Sequence, residues 1–441
     1  MDFFVTDYRI PHSPDQECAV LEDSIMQKGR PVTAGSKILS DFISPIDATV
    51  VKKLEAAGIA ILGKTTMDEF GATGLFIGSN AKTDRLERGI GAENPKNRDI
   101  EPNNGSKEPK IGAIEQQLGT PCAATLNGAI LAVAEGAATF ALCNDYTGMT
   151  ACLAARQGLI CIRPTYGTVS RFGLIPAVPS MDQIGVVCKT IDDGSNALSV
   201  IAGYDNNDGA MFNTPGENSD MQIRLSPGTE QTKKLRIGVP VNVTGKSEDM
   251  AAIKDFAKDF NIVQFELKHF EVYAQIMQIL CCAELANCIS RYDGIKFGYR
   301  AEGYSDLREL YTMTRTQAFG PDAKLAALVG AAVLSQDNYL LYYDKAMRIR
   351  RLIKESLDFS EYDMIILPAG SANESGIETG NSAEKSGDQL NKHSPLALNA
   401  LPRLCGLPAV TFAHNGGAIT LTANQKSENI LFTALKAEKT L

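Results

Sequence analysis

Three stretches of this chain concentrate side chains that could carry chemistry. Glu22 and Asp23 are adjacent acids in an apolar run at 18–24, and GKTTMDEFG at 63–71 holds Lys64. The block at 141–174, ALCNDYTGMTACLAARQGLICIRPTYGTVSRFGL, sets Asp145 among small residues, hydroxyls and thiols. The candidate nucleophiles are Thr125, Thr147, Thr150, Cys122, Cys143 and Cys152. A hydroxyl attacks a carbonyl only when a base takes its proton, and a cysteine must first become a thiolate. The four histidines, His12, His269, His393 and His414, lie outside all three stretches, and none forms a metal-ligand pattern. Glu22 and Asp23 would raise each other's pKa if they met, but neighbours on a strand point to opposite faces. Asp145 reads most simply as a carboxylate accepting backbone N–H groups.

The elements that must position these groups are legible from periodicity. Residues 47–58 have helical spacing and end on Gly58, residues 58–63 form a short apolar strand, and Thr66-Met-Asp-Glu69 matches a capping box that would open another helix. A second capping box, Thr190-Ile-Asp-Asp193, precedes an apolar-periodic run ending at Gly203. Strands alternating with such helices predict an α/β fold with a mainly parallel sheet covered on both faces. Polar, turn-rich excursions are predicted near 78–121, 205–234 and 370–394 within a single domain spanning 1–441. Residues 323–357 carry long helical periodicity, which predicts that Tyr339, Tyr342 and Tyr343 are core residues.

Composition removes several function classes. The formal charge is −9, with acids and bases interspersed, which disfavours direct contact with nucleic acid. The N-terminal MDFFVTDYRIPHS lacks a basic region followed by an apolar run, and no uninterrupted apolar segment approaches the roughly 20 residues that span a bilayer. The ten cysteines show no framework spacing, and Cys122, Cys143, Cys152, Cys161 and Cys188 sit in contexts typical of buried reduced thiols. A cytoplasmic protein without metal or cofactor is the expectation.

Longer runs add a resemblance. SKILSDFISPIDATVVKKLEAAGIAILGKTTMDEFG at 36–71, RPTYGTVSRFGLIPAVPSMDQIG at 163–185 and RYDGIKFGYRAEG at 291–303 are similar to blocks of the amidase signature family. Within that family they most resemble the A subunits of the glutamyl-tRNA(Gln)/aspartyl-tRNA(Asn) amidotransferases. The resemblance implies the amidase signature fold, a large twisted mixed β-sheet with helices on both faces, and amide hydrolysis or amidotransfer by a Ser–cis-Ser–Lys triad. Position by position the triad is missing. Glu22 stands at the lysine, Ala124 at the cis-serine and Met149 at the nucleophile, with Ala151 at a neighbouring arginine. Lys64 belongs to a different position of the family pattern. Near Leu325 and Ala326, where the A subunits carry arginines, this chain has small and apolar residues, and their initial helical region has no counterpart.

Alanine and methionine have no proton to transfer and no lone pair that attacks a carbonyl. Loss of such a catalytic unit removes about six orders of magnitude of turnover. The expectation is therefore no catalytic residue at all: an inactive paralogue with a binding or regulatory role. Its partner would be of the kind of the amidotransferase B or C subunits, or a second copy of the chain. The alternative is a divergent amidase or glutamine-dependent amidotransferase component that acts through relocated residues.

Overall fold

The computed structural model describes residues 3–8, 16–76, 127–211, 235–370 and 394–438. One sheet of eleven strands runs through them in the order β1-β3-β2-β4-β6-β5-β10-β11-β9-β7-β8. The strands are β1 Phe4–Asp7, β2 Cys18–Glu22, β3 Ala60–Thr65, β4 Phe140–Asn144, β5 Ile160–Arg163, β6 Ile184–Cys188, β7 Arg236–Pro240, β8 Asn261–Phe265, β9 Met364–Pro368, β10 Ala409–His414 and β11 Gly417–Ala423. Four of the described pairings are parallel, β2 with β3 and β4, and β7 with β8 and β9. The remainder are antiparallel. The sheet is therefore mixed, which corrects the mainly parallel expectation from periodicity alone. Hairpins such as β10–β11, closed by Asn415 and Gly416, reverse the chain without a crossover helix.

The central strands are buried on both faces, so their residues alternate between two helical layers. Leu21, Phe140 and Leu142 pack against helices α1 (Thr49–Ala56) and α4 (Ile191–Ile201). Val20, Ala141 and Cys143 face α2 (Gly128–Ala134) and α3 (Met149–Arg156). Towards the other edge, α5 (Ser247–Ala257) covers the first face, and the second is covered by a layer built on α6 (Tyr273–Ile289) and α7 (Pro321–Leu334). The helix running Phe270–Ile289 is long and apolar enough to cross a membrane by mean composition, although Glu271, Gln275, Gln278, Glu284 and Asn287 interrupt its apolar residues, and 61% of its window is buried inside the protein. It is a core helix.

Several local expectations meet the structure directly. Gly58 follows α1 with φ +74°, the left-handed geometry that a helix end favours in glycine. Thr190 caps α4 by accepting from the Asp193 N–H at 3.1 Å, and its hydroxyl donates to the Asp193 carboxylate at 2.6 Å. The capping box at Thr66–Glu69 does not form. Glu69 instead accepts from the Ser36 hydroxyl at 2.5 Å and the Gly320 N–H at 2.8 Å, and the chain makes only two short 3-10 turns, Glu69–Gly71 and Thr73–Leu75. A tertiary demand for the carboxylate overrode the local motif.

The excursions expected near 78–121, 205–234 and 370–394 fall largely outside the described residues. Residues 205–211, within the second, are pinned: Asp205 accepts from Thr49 and Ser170, and Asp208 pairs with Arg171 at 2.7 Å. Two of the three tyrosines expected in the core lie at the surface, whereas Tyr343 packs against the core. Leu340–Asp344 forms a π-helical turn between α7 and α8 (Lys345–Glu355), and that turn leaves Tyr339 and Tyr342 exposed, with Tyr343 partly buried.

Candidate functional site

Glu22 ends β2, and its side chain shares a face with Val20 and Cys143. There it meets the turn between β4 and α3, so that Glu22, Asp68, Asn144, Asp145, Thr147 and Met149 line one cavity of about 30 Å³. That is room for one water, far below the several hundred Å³ of a small-molecule site. Asn127 at the cap of α2, Thr150 and Leu153 on α3, and Gly71 and Thr73 from the 3-10 turns complete the wall. Met149 is the first residue of α3 and is half-buried.

The two acids of β2 part company. Glu22 accepts from the Ser24 hydroxyl at 2.6 Å and the Asn144 N–H at 3.4 Å. Asp23 turns to Thr33, which donates both its N–H and its hydroxyl, and lies 3.8 Å from the Lys64 ammonium. Burial pushes Glu22 up to about 8 and raises Asp23 as well. Each is therefore raised by burial, not by the other.

Lys64 does not take the missing lysine's place, for a geometric reason. The β2–β3 register shifts between Ala19 and Val20, which leaves Leu62 as an extra residue on β3 and pairs Lys64 with Leu21 and Thr65 with Glu22. Lys64 consequently points to the face opposite Glu22, where its ammonium donates to the Ile25 carbonyl. Burial lowers its pKa to about 8.

Asp145 is held as a structural carboxylate. It accepts from the N–H groups of Gly148 at 2.7 Å and Ala151 at 2.9 Å, and forms a buried 2.8 Å ion pair with Arg403. Arg403 also donates to the carbonyls of Asp145 and Asn399, and Arg163 adds a second guanidinium on the Asp145 carbonyl at 3.2 Å. Burial and the neighbouring Arg403 lower Arg163 to about 9. Sequence reading missed Arg403. The available signal was a lone cation in the otherwise apolar LPRLCGLP at 401–408.

The candidate nucleophiles have structural partners. Thr147 accepts from the Met149 N–H at 3.3 Å, Thr150 accepts from Asn127 at 3.3 Å, and Cys152 donates to the Gly370 carbonyl at 3.2 Å. Burial pushes the Cys143 thiol far up, away from thiolate character. Ser24, beside Glu22, does not line the cavity. Ala124, Thr125 and Cys122 lie outside the described residues. The free cysteines among the described residues are all buried, Cys143, Cys152, Cys161 and Cys188 included. Among those residues no three His, Cys, Asp or Glu side chains come together as a metal site. Leu325 and Ala326 pack into the core beside α6 instead of offering charge to a ligand.

The amidase family profile matches residues 19–76 and 128–429, most of the chain and all of this cavity's lining except Asn127. The chain belongs to the amidase family. The A subunit of glutamyl-tRNA(Gln) amidotransferase from Agathobacter rectalis is 33% identical over 441 residues, covering 95% of this chain and 79% of that protein. Among solved structures, the corresponding Thermotoga maritima protein aligns with a TM-score of 0.64 at 21% identity, over 99% of this chain and 86% of that one. The native peptide amidase of Stenotrophomonas maltophilia aligns with a TM-score of 0.67 at 21% identity, over 96% and 82%. These two likenesses show the amidase fold.

One family element stays tight around the cavity. Gly148, the residue before α3, has φ +89°, and a Cβ there would run into Asn399, which is fixed by bonds to the Ala369 and Pro395 carbonyls. Gly148→Ala is expected to cost on the order of 2 kcal/mol from backbone strain and overpacking. Thermal unfolding checks this; an unchanged midpoint would show that Asn399 yields.

Proposed function

We propose that this chain is a catalytically silent amidase-family protein, related to the A component of glutamyl-tRNA(Gln) amidotransferase, with a binding or regulatory role in the cytoplasm. The observation that carries the reading is the cavity of Glu22 and Met149. The thioether at the start of α3 has no proton to give. The hydroxyl that donates to the Glu22 carboxyl is that of Ser24, which does not line the cavity, and Thr147 and Thr150 accept hydrogen bonds within the wall. Burial raises Glu22 to about 8, so that carboxyl is mostly protonated at pH 7. The cavity among the described residues, about 30 Å³, is also far smaller than a site for a small-molecule substrate. The relatives are named as subunits, which supports a protein partner, either amidotransferase-type B or C subunits or a second copy of the chain.

The alternative, an amidase acting through relocated residues, draws support from Thr147 and Thr150, whose side chains share the cavity with Glu22. One experiment separates the two. Purified protein is incubated with glutamine, asparagine and simple aryl amides while ammonia release is followed. The expected result is release no faster than from heat-inactivated protein. Turnover that disappears in Met149→Ala, Thr150→Val or Glu22→Gln would overturn the silent reading.

A further inference from the structure

α8 is unlike the rest of this acidic chain. Between Lys345 and Lys354 it carries Lys345, Arg348, Arg350, Arg351 and Lys354 with no acid among them. Its inner face is anchored by Ala346 and Ile353, both buried. Its outer side borders two cavities of about 380 and 430 Å³ that share Lys354 and Gln425. Met347, Leu404 and Tyr166 wall the first, while Leu357, Phe359 and Leu407 wall the second. No acidic side chain lines either, and neither shares a lining residue with the Glu22–Met149 cavity.

The cations of this double groove are not equivalent. Arg350 is spent on structure, donating to the Leu404 carbonyl at 2.7 Å and to the Ser180 hydroxyl and carbonyl at 2.7 and 3.0 Å. Arg351 pairs only with Glu355 one turn along, an exposed contact that exchanges readily for another carboxylate. Lys354, at the seam, makes no ion pair with any described residue. Just before α8, Leu340 and Leu341 stand 69% and 65% exposed on the π-helical turn, with Leu352 at 48% on α8 itself. None of the three lines either cavity.

We propose that this double groove docks an extended acidic segment of a partner protein, with a carboxylate at Lys354 and an apolar side chain in each flanking cavity. The charge of the lining selects an anionic occupant. The concavity disfavours a bilayer face. A nucleic-acid strand needs cations and stacking platforms that track its backbone, whereas here the free charge converges on one seam between apolar walls. The inference rests on the reading of this chain as a binding component and places the partner on a defined face.

The test uses the full-length chain and a fluorescein-labelled peptide alternating Glu and Leu, followed by polarisation, with its Lys–Leu counterpart as control. Saturable binding of the acidic peptide alone is expected, weakened about tenfold or more in a Lys354→Glu/Arg351→Glu double variant. A Lys296→Glu variant, which removes an exposed cation outside the groove, should bind as the parent does. Circular dichroism and the thermal midpoint confirm that the double variant is folded. Equal binding by parent and double variant would overturn the proposal. So would groove-dependent binding of a single-stranded oligonucleotide or of phosphatidylserine vesicles without binding of the peptide. Amide hydrolysis by the chain would sink the silent-site reading and leave the groove standing; failure of the peptide alone would do the reverse.

Discussion

Arg403→Ala is expected to destabilise the protein by about 3–5 kcal/mol, the range seen when one partner of a buried ion pair is deleted. The guanidinium and the Asp145 carboxylate are almost wholly buried, and they meet at 2.8 Å. Removing Arg403 leaves the buried Asp145 carboxylate without its ion pair, with only the N–H groups of Gly148 and Ala151 and the nearby Arg163 to balance it. It also releases the carbonyls of Asp145 and Asn399, which the same side chain holds. The turn that starts α3, and with it Met149, should loosen first. Urea denaturation measures the loss. In an Arg403→Met/Asp145→Asn double variant both charges are gone, and the cost should be smaller than the sum of the single changes. Additive losses would mean that the pair contributes no coupling.

The second large effect is a pH dependence carried by Glu22. In the unfolded chain this carboxyl titrates near its ordinary value of 4.5; in the fold, burial holds the proton up to about 8. Between those values the folded state binds more protons than the unfolded state, so stability falls as pH rises from about 4.5 to about 8 and the contribution is lost above it. At about 1.4 kcal/mol per pKa unit the drop amounts to several kcal/mol. Glu22→Gln keeps the shape and removes the titration. Its urea midpoint should therefore change less than the parent's between pH 5 and pH 9, and should exceed it at pH 9. Asp68 and Asp182 are also raised by burial, and Glu69 to about 6, but they remain in both proteins and cancel in the difference. Parallel curves for parent and variant would show that Glu22 is ionised in the folded protein near neutral pH.

Much of this protein was legible as text because the relevant physics is local. The helix and strand ending at Gly58 and starting at Ala60 followed from periodicity and one glycine, and the cap at Thr190 from two side chains three residues apart. The separation of Glu22 from Asp23 followed from the two-residue repeat of a strand. Lys64 was different. Its face depended on a register shift against β2, and nothing in GKTTMDEFG encodes which residue of β3 is left over. Glu69 matched a capping motif and was taken by Ser36 and Gly320, the latter 251 residues away.

The amino-acid sequence alone determined the family and put a carboxyl at position 22 and a thioether at position 149, because side-chain identity is set before any fold forms. Glu22 and Met149 have no other identity in any fold. Tertiary structure alone decided where those groups sit and what balances them. It put Met149 and Glu22 on one cavity of about 30 Å³, and gave Asp145 a cation 258 residues along the chain. It also turned Tyr339 and Tyr342 outward beside a basic helix. Burial, pairing and exposure are properties of the assembled layers, set by contacts between segments far apart in sequence, and no spacing within a segment specifies them.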